Sequence, residues 1–312
     1  MDRRLLIRAT GTAAAVSLIG IGFGMPARSK ELAAPGPVAP VRSAIARIER
    51  ESGGRLGVAV LDAHSGASFA YRGRELFPMC STFKFLAAAL VLARCDRGQE
   101  DLNRLIAVQA ADLVPYAPVT QPRVGGAPMS VAELCEAAVT LSDNVAANLL
   151  LRSFGGPEAL TAFARSLDDT ATRLDRIEPQ LNEATAGDPR DTTTPHAMLQ
   201  TMQRILVGEA LSVPSRERIT AWLVDNKTGD KKLRAGLPKG WRVGDKTGAG
   251  GFGTNNDIAV AWPPGRAPML VAAYLTGTSA DQAGRDRSLA EVGRVVASMV
   301  EGRLAGGAAP QG

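Results

Sequence analysis

Four short motifs carry residue types that can do chemistry together. In Ser81-Thr-Phe-Lys84 a lysine follows a serine by one helical turn on the same face, so its amine can reach the hydroxyl and accept its proton. The serine stands where a helix begins, and free backbone N–H groups and the helix dipole favour a developing oxyanion there. Ser142-Asp-Asn144 also precedes a helical stretch. In it Ser142 would shuttle a proton, Asn144 would orient a substrate carbonyl, and Asp143 would be structural. Lys-Thr-Gly occurs twice. Lys227-Thr228-Gly229, before Asp230-Lys-Lys232, reads as a charged surface turn. Lys246-Thr247-Gly248 lies between strand-like segments and reads as an edge strand whose backbone can pair with an extended substrate, with Lys246 a fixed cation near Ser142. Glu178-Pro-Gln-Leu-Asn182 puts a carboxylate and an amide four residues apart, where they can share one water and Glu178 can activate it as general base. Each motif alone is equally a helix cap, a solvated lysine or a loop acid; their combination points to acyl transfer.

The surrounding elements follow from hydrophobic spacing. Val41, Ala44, Ile45 and Ile48 predict a helix over 41–51, after a Pro- and Gly-rich junction at 31–40. Leu56–Leu61 and Ser68–Tyr71, around the turn at 62–66, predict a hairpin. Helices are expected from Ser81 to about Arg94, from the capping box Ser130-Val-Ala-Glu133, and over 144–154, 157–167 and 195–206. Residues 172–195 show no periodicity and form a long loop, which Arg176 and Asp191 could pin by an ion pair. Strands at 241–243, 257–262 and 269–275 and a helix over 280–300 close the chain. This order predicts an α+β fold: an antiparallel sheet flanked by helices, built from both chain ends, with an all-helical domain inserted. The expected division is sheet domain 35–75 with 220–304, helical domain 76–219, and a flexible tail at 305–312.

Composition excludes several classes. The chain has 312 residues, 45% apolar and 21% charged, which suits a folded protein rather than a disordered one. His64 and His196 are the only histidines, too few for a zinc site built on imidazoles. Cys80, Cys95 and Cys135 show no CxxC spacing. The net charge of +5 sits mostly in the first 30 residues, where Arg3, Arg4, Arg8, Arg28 and Lys30 face Asp2 alone; the rest carries 31 basic and 30 acidic residues. With only 4% aromatics, nucleic-acid binding is not expected. Arg3-Arg4-Leu5-Leu6 followed by the apolar run 13–24 reads as an export signal over residues 1–34, with candidate cleavage near Ala27 and Ala34. The paired arginines resemble a twin-arginine signal, although Asp2 precedes them. The mature protein is expected to be periplasmic or secreted, without stable membrane association.

The order Ser-x-x-Lys, Ser-Asp-Asn, Glu-x-x-x-Asn, Lys-Thr-Gly resembles a class A serine β-lactamase. The resemblance runs from about 45 to 300. It includes Phe77-Pro-Met-Cys-Ser-Thr-Phe-Lys84, Leu141-Ser-Asp-Asn-Val-Ala-Ala-Asn-Leu-Leu150, Asp188-Pro-Arg-Asp-Thr-Thr-Thr-Pro195, Val243-Gly-Asp-Lys-Thr-Gly248 and Asn256-Asp-Ile-Ala-Val-Ala-Trp-Pro263. It implies that Ser81 opens the lactam of a penicillin or cephalosporin to an acyl-enzyme. The N–H groups of Ser81 and Ala249 would form the oxyanion hole. Lys84 or Glu178 would take the serine proton, and Ser142 would protonate the lactam nitrogen. Glu178 and Asn182 would hold the hydrolytic water. Lys246 and Thr247 would bind the substrate carboxylate, and Tyr116 would stand at the pocket entrance. The 172–195 loop would be the family's omega loop, with a cis bond between Glu178 and Pro179. The resemblance further implies a monomer without cofactor or metal.

Departures from the family pattern bear on specificity. Ala88 occupies the place of a disulfide partner for Cys135, and Gly250 the place of a partner for Cys80. Neither bridge is expected, which argues against strong carbapenem hydrolysis; a Cys95–Cys135 bond is the one pairing left. The stretch after Lys246 looks most like cephalosporin-preferring relatives. Of the places where relatives carry an extra arginine beside the substrate carboxylate, one holds Lys232 and another Asp286. A penicillin-binding D,D-peptidase, which lacks a loop base, and a periplasmic β-lactam sensor, which needs membrane helices, are the alternatives. A Ser-His-Asp hydrolase is disfavoured by the absence of Gly-x-Ser-x-Gly.

Overall fold

Strands that face apolar layers on both sides organise the molecule. The computed structural model describes residues 38–302. The leader, most of the junction and the tail lie outside these residues. A five-stranded antiparallel sheet comprises β1 (Arg55–Asp62), β2 (Ser68–Tyr71), β3 (Arg242–Ala249), β4 (Asn255–Trp262) and β5 (Met269–Thr276), in the order β2-β1-β5-β4-β3. The N-terminal hairpin thus joins the C-terminal strands through the β1–β5 ladder, Arg55↔Thr276 to Asp62↔Met269. Alternate residues of β5 enter different layers. Val271, Ala273 and Leu275 pack outward with Val41, Ile45 and Ile48 of α1 (Val38–Ser52), while Leu270, Ala272 and Tyr274 pack inward. Burial on both faces explains why β5 is an unbroken apolar run.

The inner layer is helical. At its centre is α2 (Phe83–Asp96), buried all round from Phe83 to Ala93, as its nearly polar-free sequence requires. It packs against α3 (Val131–Thr140), α4 (Asn144–Phe154), α5 (Gly156–Ser166) and α7 (Val213–Val224), while α6 (Pro195–Leu206) lies on β1 and β5. On the outer face the short α8 (Leu233–Gly236) and α9 (Gln282–Val300) cover the sheet beside α1.

Several boundaries differ from expectation for local reasons. Residues 38–40, assigned to the junction, are the first turn of α1, where Pro40 forfeits no intrahelical hydrogen bond. Ser81 is not in the α-helix but in a 3₁₀ turn, Cys80–Thr82, that precedes it. The strand expected over 241–243 continues as β3 to Ala249, because pairing with β4 from Arg242↔Trp262 to Ala249↔Asn255 overrides the weak strand preference of Gly244, Asp245 and Gly248. The long loop carries a 3₁₀ turn, Gln180–Asn182, and its end pairs Thr192–Thr193 with Phe77–Pro78. The three cysteines are free thiols, so Cys95 and Cys135 are not bonded. No helix among the described residues is long and apolar enough to cross a membrane, and none of their His, Cys, Asp and Glu side chains group as a metal site.

Candidate active site

The edge strand and the 3₁₀ turn meet at a backbone contact that only glycine permits. A Cβ on Gly248 would lie 2.7 Å from Met79 O and 3.2 Å from Ser81 N, so the third residue of Lys-Thr-Gly is fixed by the approach of β3 to the serine. From β4, the Asn256 amide donates to Pro78 O (2.8 Å) and Met79 O (3.1 Å) and holds the turn from below. Cys80, Tyr116 and Ser142 all adopt positive φ (45°, 65° and 57°), a strained conformation for residues with side chains and one that gathers at functional sites.

Around Ser81 the expected groups converge. Ser81 is 9% exposed, and its Oγ donates to Glu178 Oε1 at 3.1 Å. Lys84, fully buried, donates to Ser142 O (2.8 Å) and Asn144 Oδ1 (2.6 Å), and pairs with Glu178 Oε1 at 3.0 Å. Its hydrogen bonds therefore go to these acceptors rather than to the Ser81 hydroxyl. Burial lowers the Lys84 pKa, and Glu178 opposes that shift. Ser142 Oγ accepts from Lys246 Nζ (3.0 Å) and, more weakly, from Lys84 Nζ (3.4 Å), which leaves the serine's own proton for another acceptor. Lys246 is fully buried, and its pKa falls to about 7, through burial first and the Lys84 charge second.

Asp143 and Asn144 act mainly within the fold. Asp143 caps α4 through Ala146 N and accepts from Val119 N, Thr120 N and Thr120 Oγ1, in line with its expected structural part. Both ends of the Asn144 amide are engaged: the oxygen by Lys84, the nitrogen on Pro115 O at 2.8 Å. The Asn144 N–H donates to Tyr116 O at 3.0 Å, which fixes Tyr116, 59% exposed, beside this cluster.

Glu178 is held by a clamp that sequence reading missed. Asn148 accepts from Glu178 N and donates to Glu178 O, both at 2.9 Å. The signal was present: Asn144 and Asn148 are one turn apart on an otherwise apolar helix face. The Glu178–Pro179 bond is cis. Glu178 is 1% exposed, and its Oε2 accepts from the Asn182 amide, whose own Oδ1 is buried with no hydrogen-bond partner among the described residues. The Arg176 guanidinium meets Asp191 at 2.6 Å, and Asp191 Oδ1 also accepts from Asp175 N and Arg176 N.

The remaining positions divide. Ala249 ends β3, exposed and in register with Asn255. Lys232 and Asp286 pair with each other at 2.6 Å, with Asn255 and Gln282 also donating to Asp286. Lys227-Thr-Gly229 is not simply a surface turn. Lys227 is exposed, but Thr228 Oγ1 lies 2.6 Å from Thr247 Oγ1, and a Cβ on Gly229 would collide with the Asp245 carboxylate. The turn resembles a solvated one in composition, yet it packs under β3.

A buried serine, two buried lysines and a clamped loop carboxylate thus meet where the sheet and the helical layer join. The profile of the β-lactamase enzyme family matches residues 40–300. The chain is 45% identical over 307 residues to β-lactamase L2 of Stenotrophomonas maltophilia, covering 96% of this chain and 99% of the relative. It is 46% identical over 256 residues to β-lactamase CTX-M-8 of Citrobacter amalonaticus, covering 82% and 88%. The solved structure of an ancestral (GNCA) class A β-lactamase superimposes with a TM-score of 0.82 at 62% identity, covering 83% of this chain and 99% of that one. The chain belongs to the β-lactamase enzyme family, in its class A branch.

Proposed function

We infer that the protein is a β-lactam hydrolase that opens penicillins and cephalosporins through an ester on Ser81 and thereby confers resistance to them. The observation that carries this reading is the Glu178 carboxylate, buried, clamped by Asn148 and 3.1 Å from Ser81 Oγ. The Ser81 proton passes to Glu178 as Oγ attacks the lactam carbonyl. Lys84, as an ammonium donating to Ser142 O, Asn144 Oδ1 and Glu178, has no lone pair to accept it. This geometry favours Glu178 as acylation base. The N–H groups of Ser81 and Ala249 receive the oxyanion. Ser142, whose oxygen already accepts from Lys246, gives its proton to the departing nitrogen and regains one from Lys84, which takes back the proton that Glu178 received from Ser81, so Glu178 is again a carboxylate. Glu178 and Asn182 then direct water onto the ester; the unpartnered Asn182 Oδ1 is a ready acceptor for one of its protons. Lys246 and Thr247 hold the substrate carboxylate, and the 172–195 segment acts as the omega loop. The paired arginines of the leader support export, to the periplasm or beyond the cell, of a monomer.

Intact-mass spectrometry tests the reading. With a penicillin, the wild-type chain should turn over with little adduct, Ser81→Ala should show none, and Glu178→Ala should accumulate one. The expected loss in turnover for Glu178→Ala is about 10²–10⁴-fold, the span of general-base catalysis. A wild-type adduct that persists for hours would instead mark a penicillin-binding peptidase or a sensor.

A further inference from the structure

We propose that Thr228, in the Lys-Thr-Gly that sequence reading set aside, is a positioning residue that sets the hydrogen-bond direction of Thr247 and so tunes recognition of the substrate carboxylate. The inference rests on the acyl-transfer reading above and deepens it.

Three side chains in a row fix the direction of each hydrogen bond between them. Asn226 is buried, and its Nδ2 donates to Asp245 Oδ2, so its oxygen must face the other way. That oxygen accepts from Thr228 N at 3.1 Å and from Thr228 Oγ1 at 2.8 Å. A threonine hydroxyl has one proton, and Thr228 has spent it on Asn226. The 2.6 Å contact between Thr228 Oγ1 and Thr247 Oγ1 is therefore donated by Thr247. At rest, Thr247 turns its proton toward Thr228 and its remaining lone pair elsewhere. That polarity is wrong for an anion.

A bound carboxylate reverses the chain. Thr247 rotates its proton onto the carboxylate, and Thr228 rotates its proton from Asn226 onto Thr247 Oγ1. Asn226 keeps the Thr228 N–H, so no buried acceptor is stranded. A hydroxyl that accepts one hydrogen bond donates a stronger one, so Thr228 makes Thr247 the better donor in the complex. The frame for this relay is rigid. Lys227 N donates to Thr140 O at 2.9 Å, Lys232 N donates to Gly229 O at 2.9 Å, and Gly229 lets the turn close onto Asp245. Arg234 holds Asp245 from the far side at 2.6 Å.

Thr228→Val keeps the shape and removes the hydroxyl; Thr228→Ser keeps the hydroxyl. Kinetics are measured with benzylpenicillin and with its neutral methyl ester, at matched thermal stability of the variants. The relay predicts that Thr228→Val raises KM for the acid about fivefold to tenfold, the factor carried by one modest hydrogen bond, with kcat within about twofold. The same variant should leave the ester's kcat/KM unchanged, and Thr228→Ser should restore the acid's KM. An equal loss for acid and ester, a fall confined to kcat, an unmoved KM for the acid, or a serine variant no better than valine would each overturn it. If the wild-type chain hydrolyses neither compound, the acyl-transfer reading itself has failed, a result distinct from any of these.

Discussion

At the scale of single residues, the site is governed by what burial does to two lysines. Lys84 and Lys246 are fully buried and share Ser142 as a neighbour, and the Lys84 charge adds to burial in lowering the Lys246 pKa. With its pKa near 7, Lys246 is an ammonium below neutrality and an amine above it. If it anchors the substrate carboxylate, KM for anionic substrates should rise as pH passes upward through about 7. Lys246→Arg, whose guanidinium stays charged, should flatten that profile, as initial rates from pH 5.5 to 9 would show. Stability has its own sign. The folded-state pKa lies below the unfolded lysine value of 10.5, so the unfolded chain binds more protons between about 7 and 10.5 and stability rises with pH there. The cost of the buried charge is thus greatest below pH 7. Lys246→Met should raise the melting temperature more at pH 6.5 than at pH 9, while kcat/KM falls.

At the scale of elements, a long loop with little regular structure holds the Glu178 carboxylate against Ser81. It does so through an ion pair at its base and an amide clamp at its tip. Asp191, 1% exposed, accepts two backbone N–H groups as well as the Arg176 guanidinium, and its own carbonyl accepts Met79 N in the segment leading to Ser81. Arg176→Ala should leave this buried carboxylate short of its charge partner at a cost of about 3 kcal/mol. Because the loop carries Glu178, acyl-enzyme should build up on Ser81 in that variant at the temperature where wild type shows none, a comparison that mass spectrometry makes directly. Asn148→Ala should produce the same signature with a smaller loss of stability, since it removes two hydrogen bonds and no charge.

At the scale of the whole molecule, Ser81, Lys84 and Glu178 lie with the inner, helical layer, and α1, α8 and α9 pack on the opposite face of the sheet. Leu289 of α9 is fully buried among Ile45, Val292 and the outward side chains of the sheet. Leu289→Ala should cost about 2–5 kcal/mol of stability. Because it leaves β3 and the 3₁₀ turn alone, kcat/KM at 25 °C should remain at the wild-type level while the urea midpoint drops. If both fell together, the two faces of the sheet would be mechanically coupled to Ser81.

The amino-acid order alone determined the α+β architecture, the helices at 144–154 and 195–206 to the residue, and the motifs that mark the family, because hydrophobic period, capping residues and short catalytic spacings are local features. It also carried the Arg176–Asp191 pin, since opposite charges at the ends of one loop are readable without coordinates. Only the tertiary structure decided that Asn148 grips Glu178, that Lys232 and Asp286 satisfy each other, and that Thr228 stands behind Thr247 rather than in solvent. These are contacts between segments 19 to 54 positions apart, made by side chains whose types suit a surface equally well. Whether an asparagine, lysine or threonine caps, pairs or relays depends on which polar group is buried opposite it, and that is fixed when the layers close.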